Sequence, residues 1–259
     1  MSEPLHMIDL RLAMRGLTEI GKMHSLPLNR VDDNYLVHCA LGKLFQDNAP
    51  KPYCIESKQG RYLRVLGYAN VGADALQQTA SAFAEPAVYD RACDWEKLAS
   101  KPLPESLPEG MKLQFELRAC PVVRKSSAGD NGKEGKQQRS WRAGQELDAF
   151  LAEAWKPEND GVDLEREAVY RDWLTRQFET RDSGGVPDVD SIKVTRFSIA
   201  RMMRRHGADR KPTVLKRPDV TLSGRLQVTD GEAFMKLMSS GVGRHKSFGF
   251  GMLKIRPAQ

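Results

Sequence analysis

The most distinctive stretch of this chain is Gly241-Val-Gly-Arg-His-Lys-Ser-Phe-Gly-Phe-Gly-Met-Leu253. Four glycines and a basic triplet at 244–246 lie between a short helix predicted for 231–238 and a last strand predicted for 250–255. Glycine lets the backbone approach an anion closely, and successive N–H groups can form a phosphate-binding nest. The same glycines would also suit a tight connector, and composition alone does not decide between the two.

A nucleoside triphosphatase is the first class that this loop excludes. Lys246 and Ser247 stand where the Lys and Ser of a Walker A loop would be. That motif needs a glycine at position 245, which here is His245, and a helix afterwards, where the pattern predicts a strand.

The first half of the chain predicts a strand, a helix, a hairpin, a second helix and a strand. Asp32-Asp33-Asn34 would cap the first helix, and Gly60 lies in the hairpin turn. The last strand follows a proline-rich linker and alternates strictly between apolar and polar residues. This order is that of a ferredoxin-like unit, whose sheet is also the scaffold of the RNA recognition motif. The predicted elements are 5–14, 35–46, 53–57, 61–69, 73–84 and 111–120.

The second half predicts a similar unit with a helical insertion. Residues 126–140 are rich in Gly and Lys and predict a mobile loop. The predicted helices are 146–155 and 164–178, and the predicted strands are 194–203, 214–215 and 220–228. We therefore expect an α+β protein of tandem ferredoxin-like domains with antiparallel sheets. The expected divisions are a first domain at 1–124, a flexible basic loop at 125–145 and a second domain at 146–259.

Composition suits a globular protein outside the membrane. The 259 residues carry 40 Lys+Arg against 34 Asp+Glu, a net charge of +6, and 40% are hydrophobic. No apolar run approaches the ~20 residues of a membrane-spanning helix, and the N-terminus lacks a secretion signal, so we expect a cytoplasmic protein without membrane contact. The four scattered cysteines predict reduced thiols and no structural metal.

The positive charge is concentrated between Lys193 and Arg225. This segment contains ten Lys and Arg residues but only two Asp residues, so its net charge is +8 and exceeds that of the whole chain. Such a segment attracts polyanions, of which nucleic acid is the commonest. A solvated face with a few local ion pairs is the alternative.

Tyr35 and His38 are the pair with the most suggestive chemistry. They are three residues apart on the predicted first helix, so their side chains are neighbours at the edge of its apolar face. An imidazole titrates near neutral pH, and a phenol can position a reacting group. A histidine at the edge of the core is the ordinary alternative. No clustered Asp and Glu suit a two-metal nuclease, so any phosphodiester chemistry is expected to be metal-independent.

Three stretches together resemble a known family. The glycine-rich loop at 241–253 resembles the C-terminal signature G-[IV]-G-x-x-K-x-x-G-x-G-[LM]-L of the RAMP superfamily, specifically the CRISPR repeat-RNA endoribonucleases of the CasE type. Residues 113–122 are similar to the family strand L-x-F-x-L-R-A-N-P-[IV], with Cys120 replacing the usual Asn. Residues 35–45 resemble the helix Y-x-L-H-x-x-L-x-x-L-F, which carries the catalytic histidine of that family.

The resemblance implies two ferredoxin-like domains that bind the stem-loop of a CRISPR repeat transcript and cut beside it. His38 would be the general acid/base and Tyr35 its positioning partner. The ribose 2′-OH would attack the adjacent phosphorus and leave a 2′,3′-cyclic phosphate and a 5′-OH, with no cofactor and no metal. The product would remain bound, and other Cas subunits of an effector complex would be partners. A non-catalytic RAMP subunit and a general nucleic-acid-binding protein remain the alternatives.

The predicted RNA contacts lie on the loop, on the 113–122 strand and on the basic segment. This chain is longer than typical CasE proteins, in its N-terminal half and in loop 126–140, which weakens the transfer of contact details. The residues expected to contact RNA are Gly241, Gly243, Arg244, His245, Lys246, Gly249, Gly251, Arg118, Lys193, Arg196, Arg201, Arg204, Arg205, Lys216 and Arg217.

Overall fold

The protein folds into two α+β units, each built on a four-stranded antiparallel sheet. The computed structural model describes residues 4–23, 25–29, 31–135, 138–180, 182–204 and 213–258. No helix within these ranges is both long and apolar enough to cross a membrane.

Among the described residues, the first unit contains four strands and four α-helices, with the strands in the order β2-β3-β1-β4. Its core lies between the sheet and the helices, because Ile8, Leu10 and Leu12 alternate along the first strand and are fully buried. The elements are β1 (His6–Ala13), α1 (Met14–Met23), α2 (Asp33–Phe45), β2 (Tyr53–Gln59), β3 (Tyr62–Ala69), α3 (Ala73–Phe83), α4 (Pro86–Ala92) and β4 (Ala99–Pro102).

The second unit repeats this strand order around a second core. Its sheet runs β10-β11-β5-β12, and two small strand pairs, β6 with β9 and β7 with β8, lie outside it. The elements are β5 (Lys112–Ala119), β6 (Val122–Arg124), β7 (Gly129–Asp130), β8 (Ser140–Trp141), β9 (Glu146–Asp148), α5 (Ala149–Ala154), α6 (Arg166–Glu179), β10 (Gly185–Arg204), β11 (Thr213–Val228), α7 (Gly231–Ser240) and β12 (Leu253–Pro257).

The two sheets confirm the predicted tandem ferredoxin-like architecture. In each unit, the first strand lies between the third and the fourth, as the ferredoxin-like order requires. Helices α5 and α6 lie between the first two strands of the second sheet, where the helical insertion was expected.

The prediction that strand 111–120 completes the first sheet is wrong. Strand β5 pairs with β11 and β12 of the second sheet, and β4, which the sequence did not predict, takes the fourth place beside β1. Alternation identifies a half-buried strand but does not identify its neighbours. The chain therefore passes from the first sheet to the second between Pro102 and Lys112, inside the segment assigned to the first domain.

Three local predictions also need correction. Residues 14–23 form helix α1, which the sequence analysis did not predict. Residues 146–148 form strand β9 instead of the first turn of a helix, because they pair with 122–124. The loop expected to be mobile contains a short hairpin, in which Gly129 pairs with Trp141 and the Lys125 ammonium lies 4.3 Å from the centre of the Trp141 ring.

The two units pack against each other through strands β2 and β3. Cys54, Leu66 and Tyr68 of the first unit join the apolar core of the second. The Tyr68 hydroxyl donates a hydrogen bond of 2.8 Å to the carbonyl of Leu253. The seam between the units is therefore well packed, and the candidate site lies along it.

Candidate active site

Helix α2 presents Tyr35 and His38 side by side. Asp32 caps the helix, since its carboxylate accepts a hydrogen bond from the N–H of Tyr35 at 3.1 Å. The two rings are 6.1 Å apart between centroids. Tyr35 is buried and His38 is half-buried, so the imidazole keeps an accessible edge.

The glycine-rich loop reaches this helix through Phe248. The Phe248 ring stacks on Tyr35 at 5.9 Å with an interplanar angle of 10°, and its centroid lies 4.8 Å from that of His38. The structure thus joins the helix and the loop, which the sequence singled out separately.

Tyr53 ties the loop to the start of helix α2. Its hydroxyl donates a hydrogen bond of 2.8 Å to the carbonyl of Asn34 and lies 3.3 Å from the carbonyl of Ser247. Burial raises the pKa of Tyr53 well above the usual value for a phenol, so the hydroxyl keeps its proton and remains a donor.

Arg118 forms a second tie between the loop and helix α2. Its guanidinium donates to Asp219 at 2.8 and 2.7 Å, to the Asn34 side chain at 2.6 Å and to the Gly249 carbonyl at 3.1 Å. The side chains of Arg118 and Asp219 are 14% and 7% exposed. Arg118, expected to contact RNA, makes four hydrogen bonds within the protein, and its contact with RNA stays a prediction.

The glycines of the loop are required by backbone geometry. A Cβ at Gly249 would lie 2.5 Å from the Asn34 amide oxygen, and one at Gly251 would lie 2.5 Å from the Val242 carbonyl. The N–H of Gly251 donates to the Arg118 carbonyl at 2.8 Å, so it is not free to bind a phosphate. The geometry at Gly249 and Gly251 favours a tight connector at these two positions, and the predicted RNA contacts of the loop glycines stay a prediction. Positive φ angles occur at Gly241 (73°), Gly243 (78°), Gly249 (78°) and Gly251 (84°), and all four residues are buried.

A groove of about 420 Å³ runs beside the loop. Lys51 and Lys246 both line it, as does Phe248. His38 lines a neighbouring depression of about 340 Å³ with Cys39. The Phe248 and His38 rings, which line one cavity each, are in contact.

Lys51 is a site residue that the sequence analysis missed. Burial lowers the pKa of His38 below its usual value, and the positive charge of Lys51 lowers it further. Lys51 lies in the connection from α2 to β2, and its backbone N–H bonds the Tyr68 carbonyl at 2.7 Å. No sequence pattern links it to His38, because the fold alone brings them together.

Glu146 occupies the centre of the predicted RNA contacts. Its carboxylate lies 2.7 Å from Arg244 Nε, 2.8 Å from His245 Nε2 and 3.3 Å from Arg217 Nη2. Contacts with His245 and the two arginines lower the pKa of Glu146 to about 2. Two arginines and a histidine that the sequence analysis expected to contact RNA thus share the carboxylate of Glu146.

The exposed part of the basic segment lies on the long β10–β11 hairpin. Arg201 is directly opposite Lys216 in the register. Within the described ranges, no ion pair involves the exposed side chains of Lys193, Arg196, Arg201 and Lys216. Arg205 lies outside the described residues, as does the side chain of Arg204. In the parts of the chain that the structure covers, no group of three or more His, Cys, Asp and Glu residues could hold a metal ion.

Comparison with known proteins gives the site its context. A family model described as CRISPR associated protein matches residues 5–257. The chain belongs to this family of CRISPR-associated proteins. It matches none of the curated proteins.

Solved structures share the fold of this CRISPR-associated protein at low sequence identity. One is Thermus thermophilus Cse3 bound to an RNA representing a pre-cleavage complex, with a TM-score of 0.59, 17% identity and coverage of 98% of this chain and 100% of that chain. Another is Escherichia coli K-12 Cas6e, with a TM-score of 0.52, 19% identity and coverage of 98% and 100%. A third is a chain of a CRISPR RNA-guided surveillance complex in a pre-nicking state, with a TM-score of 0.54, 16% identity and coverage of 98% and 100%.

Proposed function

We propose that this protein is a metal-independent endoribonuclease that cleaves CRISPR precursor RNA at the repeat stem-loop. It yields mature crRNA with 2′,3′-cyclic phosphate and 5′-OH ends and remains bound in an effector complex. The observation that carries the proposal is the contact of His38 and Tyr35 with Phe248 of the glycine-rich loop, next to a groove lined by two lysines. The fold shared with Cse3 bound to an RNA representing a pre-cleavage complex supports it.

His38 is suited to proton transfer at neutral pH. Because its pKa is lowered, the imidazole is mostly neutral there and can accept the proton of the ribose 2′-OH. The 2′ oxygen then forms a bond to the adjacent phosphorus, and the bond from phosphorus to the 5′ oxygen breaks. The protonated imidazole of His38 then gives its proton to that 5′ oxygen, so the histidine acts first as general base and then as general acid. Tyr35, buried beneath Phe248, holds the orientation of the ring pair.

Lys51 and Lys246 are suited to stabilising the transition state. The pentacovalent phosphorus carries an additional negative charge, which fixed cations at the edge of a groove stabilise without reorganisation. Both lysines line the groove beside Phe248. Metal independence follows from this assignment, because lysines take the place of a divalent cation.

The exposed cations of β10 and β11 supply the RNA-binding surface. Arg201 and Lys216 are adjacent across the hairpin, and the backbone carbonyl of Arg201 accepts from the N–H of Asp32, the cap of helix α2, at 3.4 Å. The basic hairpin is therefore in contact with the N-terminal cap of the proposed catalytic helix. Phosphate contacts of this kind make binding depend strongly on salt.

The test is cleavage of the repeat RNA from the source genome in excess EDTA. Wild type should cut once and leave a cyclic phosphate. His38→Ala should reduce the rate by at least about 100-fold while it still binds the hairpin, and a 2′-deoxy nucleotide upstream of the scissile bond should abolish the cut. His6→Ala, which changes a histidine of strand β1, is the matched control and should cleave normally.

Other outcomes point to other functions. Tight hairpin binding without cleavage by wild type would indicate a non-catalytic RNA-binding subunit. Cleavage that EDTA abolishes would overturn the metal-independent mechanism. Absence of selective binding to the repeat would contradict both RNA roles.

A further inference from the structure

We propose that Glu146 is a positioning residue of this site, and the inference rests on the function proposed above. Glu146 would hold the glycine-rich loop so that Lys246 faces the groove and Phe248 faces His38. A carboxylate amid residues expected to bind a polyanion needs such an explanation, because it repels RNA phosphates.

The carboxylate of Glu146 is the meeting point of two chain segments. Arg244 and His245 approach it from the glycine-rich loop, at 2.7 and 2.8 Å. Arg217 approaches from strand β11 at 3.3 Å. The side chains of Glu146 and His245 are 10% and 13% exposed, so their contact is largely shielded from water.

The backbone of Glu146 is fixed independently of the loop. It is the first residue of β9 and pairs with Arg124 of β6. This strand pair closes the segment at 125–145 before the chain enters helix α5. Glu146 can therefore act as a fixed anchor to which the loop attaches.

His245 connects Glu146 to helix α2 through the turn that carries Phe248. It adopts a left-handed conformation with φ of 61°, which only a few per cent of non-glycine residues adopt. Its carbonyl accepts the N–H of Phe248 at 2.8 Å and so closes the turn that carries Lys246. The contact between His245 and Glu146 stabilises this conformation, and the turn places the Phe248 ring 4.8 Å from His38.

Loss of the Glu146 charge should slow cleavage without weakening RNA binding. Glu146→Gln keeps the size of the side chain and removes its charge. The contacts with Arg244 and His245 therefore weaken, and the local net charge becomes more positive. Under single-turnover conditions, cleavage should slow by about tenfold or more, as expected for a misplaced catalytic group. Hairpin affinity should equal or exceed that of wild type. Glu146→Asp, which keeps the charge, should recover part of the rate.

Asp188→Asn is the matched control. It also removes one carboxylate, here from an exposed ion pair with Arg225 on the β10–β11 hairpin, and should cleave at the wild-type rate. The proposal is overturned if Glu146→Gln cleaves like this control. It is also overturned if Glu146→Gln loses affinity and thermal stability in proportion to its rate, because this would indicate a merely structural role.

A second readout does not depend on cleavage. Ring currents from Phe248 shift the His38 imidazole resonances in the NMR spectrum of the RNA-free protein. Glu146→Gln should move these resonances toward their values in Phe248→Leu, whereas Asp188→Asn should not. If wild type fails to cleave RNA but this shift occurs, the proposed function fails and the positioning contact stands. An unchanged His38 resonance in Glu146→Gln overturns the positioning role.

Discussion

The ring of Phe248 lies 4.8 Å from the imidazole of His38, at an interplanar angle of 61°. One residue belongs to the loop before the last strand and the other to the second helix. The edge contact covers one side of the imidazole and leaves the other toward the depression beside Cys39. The candidate catalytic histidine is therefore held by an aromatic neighbour that is distant in sequence.

Removal of that neighbour should affect catalysis more than RNA binding. Phe248→Ala is expected to slow single-turnover cleavage by up to about 100-fold, because a displacement of roughly 1 Å at a catalytic group can cost that much. Phe248→Leu, which still fills the space, should fall between this variant and wild type. Equal cleavage by all three proteins would show that the ring does not orient His38.

Lys51→Gln should change the pH dependence of cleavage. Lys51 lowers the pKa of His38, so its removal raises that pKa. A general base is active when deprotonated, hence the acidic limb of the rate profile should move to higher pH. An NMR titration of His38 without RNA should show the same direction. A limb that moves to lower pH would contradict the electrostatic role of Lys51.

Arg118→Met should destabilise the protein strongly. It leaves Asp219 buried without its partner, and breaking such a pair typically costs about 3–5 kcal/mol. Arg64→Met is the control, because its pair with Asp9 is 39% and 30% exposed and such pairs contribute roughly 0–1 kcal/mol. Urea unfolding at neutral pH measures both variants. Similar losses would show that the burial of Arg118 does not matter.

The loop should not tolerate a side chain at Gly249. Alanine there must adopt a positive φ and meet the Asn34 amide oxygen, so we expect a loss of at least about 1–2 kcal/mol in the free energy of unfolding. Gly42→Ala is the control, because nothing lies within 4 Å of its Cβ position. As an alanine in helix α2, it should stabilise the protein by about 0.5–1 kcal/mol.

The double variant Arg201→Ala/Lys216→Ala should weaken RNA binding and its salt dependence. Each lost phosphate contact reduces the slope of log affinity against log salt by about 1, so the pair should reduce it by about 2. Arg15→Ala, which removes a cation of α1 that pairs with Glu19, should leave the slope unchanged. Identical slopes for the double variant and wild type would show that RNA does not contact Arg201 and Lys216.

The sequence predicted local elements well where periodicity and capping decide them. Helix α2, the β2–β3 hairpin and helix α7 all occur where expected. Helix α1 was missed because its glycines resemble breaks. Gly16 is instead a point of close packing, where a Cβ would lie 2.4 Å from the Arg91 carbonyl. Strand β5 was placed in the wrong sheet because its alternating pattern would fit either one.

The individual parts of the candidate site were predictable, but their partners were not. His38 and the glycine-rich loop were each visible in the sequence, whereas their contact depends on the packing of the two units. The charge count between 193 and 225 did not reveal that Arg217 pairs with Glu146, from outside the segment, or that Asp219 pairs with Arg118. Long-range ion pairs therefore decide which predicted cations remain exposed.

The tie from Tyr53 to both Asn34 and Ser247 has a consequence for synthesis on the ribosome. A nascent chain that has completed only the first unit already contains His38 and Tyr35 but not the loop that covers them. In the enzyme proposed above, cleavage would then require that the second unit has folded against the first. Incomplete chains released early would lack this contact and would not cleave RNA.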